Sequence, residues 1–257
     1  SGQLACGTVG PGRMRAPTEI VAKLNECLAP GNLVGKRFLI TAGPTREPID
    51  PVRFISNPSS GQMGFAVARA ARQRGAEVIL VTGPVTLPDP IDITVIRTGT
   101  ARDMANAVLN HFDTMDVVVK TAAVSDYRPK SESPRKIKKA RDEMTLNLIR
   151  NQDILKTLGR KKKRQFLVGF AAETDELQNN AKKKLEEKNL DILVGNLIGS
   201  PDAGFESDNN TVSLFFRDGT VESWPAMTKD TVAHALLDRV ARMMDETHDR
   251  KSNDRNN

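Results

Sequence analysis

From Lys36 onward, short apolar, β-branched runs alternate with amphipathic segments, and this alternation constrains the fold more than any other feature. Arg37–Thr41, Ala76–Thr82, Ile93–Arg97, Met115–Thr121, Gln165–Phe170 and Leu190–Val194 read as strands. Between them Gln62–Gly75, a segment opening at Thr100, Gln152–Leu158 and Asp175–Lys188 read as helices, and Thr100-Ala-Arg-Asp103 has the form of a capping box. Strands and helices alternating at this length make βαβ units and a mostly parallel sheet covered on both faces. The expected fold is therefore α/β, a Rossmann-like doubly wound sheet. Val212–Phe216 and Val221–Trp224 flank Arg217-Asp-Gly-Thr220 and add a small C-terminal β-hairpin with a tight Asp-Gly turn.

The flanks differ from this core. Residues 1–35 hold few signals beyond a short helix at Pro17–Leu28, with a Gly/Pro-punctuated loop at Cys6–Met14 and a linker at Ala29–Gly35. Residues 36–244 form the main domain, its last helix being Lys229–Met244, and 245–257 are a polar tail expected to fray. Two cysteines, Cys6 and Cys27, make no disulfide framework and fit a reducing, cytoplasmic setting. No apolar run approaches the roughly 20 residues that span a bilayer, so no membrane partner is expected. A net charge of +6 favours anionic partners, while 4% aromatic content with one Trp and one Tyr poorly supplies base stacking. Small phosphorylated ligands, not nucleic acid, are the expectation.

Within the stretch Ile40–Gly64 a strand leads through a Gly/Pro-rich loop carrying Arg46, Arg53 and Asn57 to a serine-capped helix start at Ser59-Ser60-Gly61. The free N–H groups and positive end of such a helix suit a phosphate; the same residues also serve as an ordinary strand-to-helix connection. Other polar groups fall at later strand ends, in Ala122–Asp126 and Phe170–Glu173 and at Asn196, where a doubly wound sheet binds its ligand. A dinucleotide oxidoreductase would need G-x-G-x-x-G after the first strand, and Ala42-Gly-Pro-Thr-Arg46 fails that spacing. The phosphate-loop signature of nucleotide hydrolases is also missing. His111, His234 and His248 are scattered and suggest neither a metal centre nor a triad. Lys184 and Lys188 share a helix face, as an anion site or a solvated surface. The loop 123–141, with Lys136, Lys138 and Lys139, reads either as a lid over a triphosphate or as a disordered linker, and Asp126 either meets a ribose or caps a turn.

Longer strings narrow these choices. Thr41-Ala-Gly-Pro-Thr-Arg-Glu-Pro-Ile-Asp50, Val52-Arg-Phe-Ile-Ser-Asn-Pro-Ser-Ser-Gly-Gln-Met-Gly64, Ala122-Ala-Val-Ser-Asp-Tyr-Arg-Pro129, Lys136-Ile-Lys-Lys139 and Gly169-Phe-Ala-Ala-Glu-Thr174 resemble the phosphopantothenate–cysteine ligases of coenzyme A biosynthesis. The resemblance implies a CTP-dependent joining of 4′-phosphopantothenate to cysteine through an acyl-cytidylate. It implies Asn57 and Lys136 as catalytic residues. Gly43, Ser59, Ser60, Gly61, Ala122, Asp126, Gln152, Asp153, Ile154, Leu155, Phe170, Lys184 and Lys188 would bind CTP, and Arg53, Asn57 and Ala123 phosphopantothenate. Mg²⁺ is expected with the triphosphate, without a protein cage, and the family implies a homodimer with Arg53 reaching across it. Two positions depart from the family pattern: Pro58 stands where other members carry His, and Gln152 where Pro is familiar. Gly2–Met14 resembles the final flap of a flavin-dependent decarboxylase that many bacteria fuse ahead of the ligase, with Cys6 at the flap's acid cysteine. Without that enzyme's body neither FMN nor decarboxylation is expected of this chain; the decarboxylase half would be a fused or separate partner.

Overall fold

A computed structural model describes residues 2–3, 9–10, 14, 17–138, 143–173, 177–197 and 209–253. After a two-residue ladder of β1 (Gly2–Gln3) with β2 (Val9–Gly10) and the helix α1 (Pro17–Leu28), the main sheet begins with β3 (Arg37–Ala42). A ribbon of β4 (Arg46–Pro48) and β5 (Phe54–Ser56) precedes α2 (Gln62–Gln73), β6 (Glu77–Thr82), β7 (Thr94–Arg97), α3 (Ala101–Phe112) and β8 (Val117–Lys120). A second ribbon, β9 (Tyr127–Pro129) with β10 (Leu148–Arg150), leads to α4 (Ile154–Lys161), β11 (Phe166–Glu173), α5 (Leu177–Glu187) and β12 (Ile192–Leu197). The chain closes with β13 (Asn209–Asn210), the hairpin β14 (Val212–Phe216) and β15 (Val221–Ser223), β16 (Met227–Thr228) and α6 (Lys229–Asn253).

The eight-stranded sheet runs β15-β14-β12-β11-β8-β3-β6-β7. Its six strands from β12 to β7 are parallel, and β14 and β15 add antiparallel at one edge. The strand order of the parallel part reverses between β3 and β8, which places the ligand-binding crevice of a doubly wound sheet beyond Ala42 and Lys120. Both faces are covered because both are apolar. Phe38, Ile40 and Ala42 pack with α2 and α6 on one side, and Leu39, Val118 and Leu167 with α3, α4 and α5 on the other. This period-two division of buried residues gives the runs of Val, Ile and Leu that mark interior strands.

Several boundaries depart from expectation. Leu33, read as linker, is buried in the core and its N–H donates to Arg74 O. The stretch read as a loop after β3 folds into the β4–β5 ribbon, tied down where buried Glu47 accepts the Ala101 N–H at the start of α3. The last helix runs past the expected boundary at 244, α6 continuing to Asn253. Cys6, Lys139 and Asp175 lie outside the described residues.

Candidate active site

The cradle at the end of β3 is built on glycines, with Ser59 and Ser60 beside them. The N-cap of α2 is Gly61, left-handed at φ 78°, a conformation serine avoids, and the serine contribution comes from one residue earlier, where Ser60 Oγ accepts the Gln62 N–H at 3.5 Å. Gly43, at φ 71°, turns the chain out of β3. A Cβ placed on Gly61 would lie 3.3 Å from Gly43 N and 2.8 Å from Val85 Cγ1, so the two glycines stack closely. Gly64 completes the set, since a Cβ there would stand 2.6 Å from Ala42 Cβ and 2.5 Å from Thr121 Oγ1. A tight turn, a close backbone approach and a close helix–strand contact are the three jobs of the dinucleotide-fold glycines. Here residues 44–60 are inserted between the first job and the other two. The linear pattern fails, but the folded one is restored.

The insertion is knitted to the end of β8. Pro44 bridges Ala123, Ala123 N–H donates to Gly43 O at 3.0 Å, and Ser125 N–H to Thr45 Oγ1 at 3.1 Å. Asn57 is exposed and donates its amide to Val124 O at 3.3 Å. Along this seam lies a cavity of about 390 Å³, lined by Asn57, Ser59, Ser60, Gly61, Ala122, Ala123, Asp126 and Phe170, with Lys120, Asn210 and Lys229. A second cavity of about 440 Å³ shares Lys120, Val124, Asp126 and Phe170 with it and extends over Gln152, Asp153, Ile154, Leu155 and Lys188. The two therefore form one continuous crevice at the switch point. A larger cavity of about 520 Å³ opens between α5 and the β14–β15 turn, at the amino ends of the parallel strands and away from this crevice.

Charge in the second cavity is held by short contacts. Asp153 caps α4 through the Lys156 N–H at 2.9 Å and meets Lys188 Nζ at 2.9 Å. Burial opposes its ionisation, yet the Lys156 N–H and then the cations Lys188 and Lys120 hold the carboxyl below its ordinary range. Burial, reinforced by Lys188, pushes the Lys120 ammonium down to about 8. Gln152 turns its amide onto Thr157 Oγ1 at 3.1 Å. Asn151 fixes the wall by donating to Ser125 O at 2.8 Å, and Arg150 lies over the Tyr127 ring, 5.8 Å from its centroid.

Four anticipated residues stand outside both linings. Gly43 lies behind Gly61 as a backbone support. Lys184 sits one turn before Lys188, whose N–H donates to Lys184 O. Lys136 is exposed on the long loop. Arg53 forms a two-pronged ion pair with Asp50 and donates to Ile137 O at 2.9 Å, while Ile137 N–H donates to Asp50 at 3.1 Å. Arg53 thus anchors the loop beside Lys136, and its pairing holds the buried Asp50 carboxyl far below the usual range. Lys120, Asn210 and Lys229 are missing from the sequence reading. Lys120 hides at the end of an apolar strand and Lys229 at a helix start, where its ammonium reaches Gln62 Oε1 at 2.6 Å. Among the described residues no three His, Cys, Asp or Glu converge on a metal position.

The sequence profile of the DNA/pantothenate metabolism flavoprotein C-terminal domain family matches residues 33–244. The chain belongs to that family. It is 48% identical over 253 residues to the coenzyme A biosynthesis bifunctional protein CoaBC of Bacillus subtilis (strain 168), an alignment covering 97% of this chain and 62% of that protein. A crystal structure of the C-terminal domain of a CoaBC protein superposes at TM-score 0.73 with 45% identity, covering 84% of this chain and 99% of that one. The fold also recurs, at TM-score 0.65 and 18% identity over 94% of this chain and 97% of the other, in a Cab2 mutant solved in complex with phosphopantothenate-cysteine. The family is that of the ligase strings described above, and the 8-stranded sheet is its Rossmann-like domain.

Proposed function

We propose that this chain joins 4′-phosphopantothenate to cysteine using CTP. The observation that carries the reading is the double cavity at the switch point of a chain in this family, its two lobes meeting at Lys120, Asp126 and Phe170. Each lobe falls within the roughly 300–1,000 Å³ usual for small-molecule sites. In the first step a carboxylate oxygen of phosphopantothenate attacks the α-phosphorus of CTP, the bond to the β-phosphate oxygen breaks, and pyrophosphate leaves. In the second the cysteine nitrogen attacks the acyl carbon, the bond from carbon to the phosphate oxygen breaks, and CMP takes the electron pair as the amine loses its proton.

Asn57 and Ala123 are suited to flank the activated acyl group, since the Asn57 amide is pinned to the backbone beside Ala123. Ser59, Ser60 and the first turn after Gly61 would receive phosphate. Gln152–Leu155, Asp126, Phe170 and Lys188 would hold the cytidine, and Lys136 would bring charge from the loop to the leaving pyrophosphate. Histidine is missing from both linings among the described residues, and a reaction through a mixed anhydride needs charge neutralisation and placement more than a strong base. Mg²⁺ would arrive with the triphosphate and neutralise part of its charge.

A homodimer is part of the proposal. The two ribbons and the loop between β9 and β10 expose Val52, Phe54, Tyr127, Met144 and Leu148, an apolar surface that pairing of two copies would cover. Arg53, turned from its own crevice, would then serve the phosphopantothenate phosphate of the second copy. No helix among the described residues is long and apolar enough to cross a membrane, and a cytoplasmic setting follows from the pathway. Mass spectrometry of a mixture of the protein, CTP, Mg²⁺, phosphopantothenate and cysteine tests the reading. The amide product, formed with CTP in preference to ATP, is expected; no product with either nucleotide overturns it.

A further inference from the structure

Lys120 is the last residue of β8, the strand beside the point where strand order reverses. The three residues before it, Val117–Val119, are wholly buried, so the lysine interrupts a run that packing alone would keep apolar. Its side chain lines both lobes of the crevice and takes its partial exposure there, deep in the protein. No hydrogen bond or ion pair of its ammonium is formed among the described residues. The two nearby carboxylates compensate it only in part: Asp153 is shared with Lys188 and the Lys156 N–H, and Asp126 is exposed to water. The remaining charged groups of the crevice are occupied as well, Lys229 with Gln62 and Arg150 with Tyr127. An ammonium in such a place is costly unless an anion joins it.

We propose that Lys120 binds the α-phosphate of the nucleotide, at the junction of the lobe that holds the nucleoside and the lobe that holds the acyl group. The proposal rests on the nucleotide reading above and gives a role to a lining residue that reading left without one. A nucleotide laid along the crevice, with its base toward Gln152–Leu155 and its acyl group toward Asn57, has its α-phosphate between the lobes. The lowering of the Lys120 ammonium toward 8 by burial and by Lys188 agrees with a cation whose counter-ion arrives with the ligand. Two rival roles are structural: a counter-ion for Asp126 and Asp153, or an aliphatic stem that covers the sheet end while its head reaches water.

Lys120→Met keeps the stem and removes the charge, so it separates these roles. Calorimetric titration of the whole chain with CTP, CMP and cytidine, and thermal melting without ligand, decide between them. The proposal expects CTP and CMP each to bind at least about tenfold more weakly, as for loss of a hydrogen bond to a charged group, with cytidine unchanged and the ligand-free Tm equal or higher. Lys120→Arg is expected to recover part of the CMP affinity. CMP binding like wild type would overturn the α-phosphate assignment, even if CTP weakened. A lower ligand-free Tm would overturn it too, making Lys120 a structural counter-ion. Wild-type protein that binds neither nucleotide would remove the nucleotide reading and this proposal together, a result distinct from either.

Discussion

Gly64→Ala tests whether the crevice depends on the close seating of α2 against the sheet. The added methyl would stand 2.6 Å from Ala42 Cβ, 2.5 Å from Thr121 Oγ1 and 2.9 Å from Thr41 O. Carbon atoms settle at about 3.5–4.0 Å, so α2 must retreat by about 1 Å. The sheet side cannot give way easily, because Thr41 O accepts both the Thr121 N–H and, at 2.6 Å, the Thr121 hydroxyl. Overpacking of this kind costs about 1–3 kcal/mol, and the better helix propensity of alanine returns at most about 1 kcal/mol. We expect a net loss of about 1–2 kcal/mol in urea unfolding and a fall in Tm of about 2–8 °C for a domain of this size. Because Gly61 starts the same helix, ligation should fall further than stability does, by about 100-fold for a displacement near 1 Å. A Gly64→Ala protein with wild-type Tm and wild-type rate would refute the reasoning.

Three further outcomes are expected. Ser125 Oγ is buried without a hydrogen-bond partner among the described residues, so Ser125→Ala should raise stability by about 1 kcal/mol, read from the urea midpoint. Asp153→Ala should cost about 1 kcal/mol at pH 7 through loss of the α4 cap. Because the folded carboxyl lies below its unfolded value, that contribution is present above the unfolded pKa and is lost as pH falls through the folded one; the gap from wild type should narrow below about pH 4 in acid titrations followed by circular dichroism. Asp50→Asn should release Ile137 from its anchor, and trypsin should cut at Lys136 and Lys138 about tenfold faster.

Much of the fold was legible because it rests on periodicity. The strands at Arg37, Ala76 and Met115 and the Thr100 capping box appear where the apolar pattern and local chemistry put them, the box with both of its hydrogen bonds. Misreadings arose where tertiary context decides. The β4–β5 ribbon has little strand signal of its own and is held by Glu47 reaching the start of α3, a contact across 54 residues. The serines expected at the α2 start do contribute, through Ser60 Oγ to the Gln62 N–H, but the left-handed N-cap itself is Gly61, which serine preference alone does not point to. Site residues in motif strings, such as Asn57, Asp126 and Phe170, line the crevice. Lys120 was absorbed into an apolar strand, since nothing local distinguishes a strand-end lysine that faces solvent from one that faces a cavity.

The central claim is that an activated acyl group forms in this crevice before cysteine takes part. Rapid-quench measurement of pyrophosphate from CTP, with phosphopantothenate and Mg²⁺ present and cysteine withheld, addresses it directly. A burst of up to one pyrophosphate per site that requires phosphopantothenate is expected, with a cytidylated acyl species recovered in equal amount. Pyrophosphate that appears only after cysteine is added, or inorganic phosphate and CDP in its place, would contradict it.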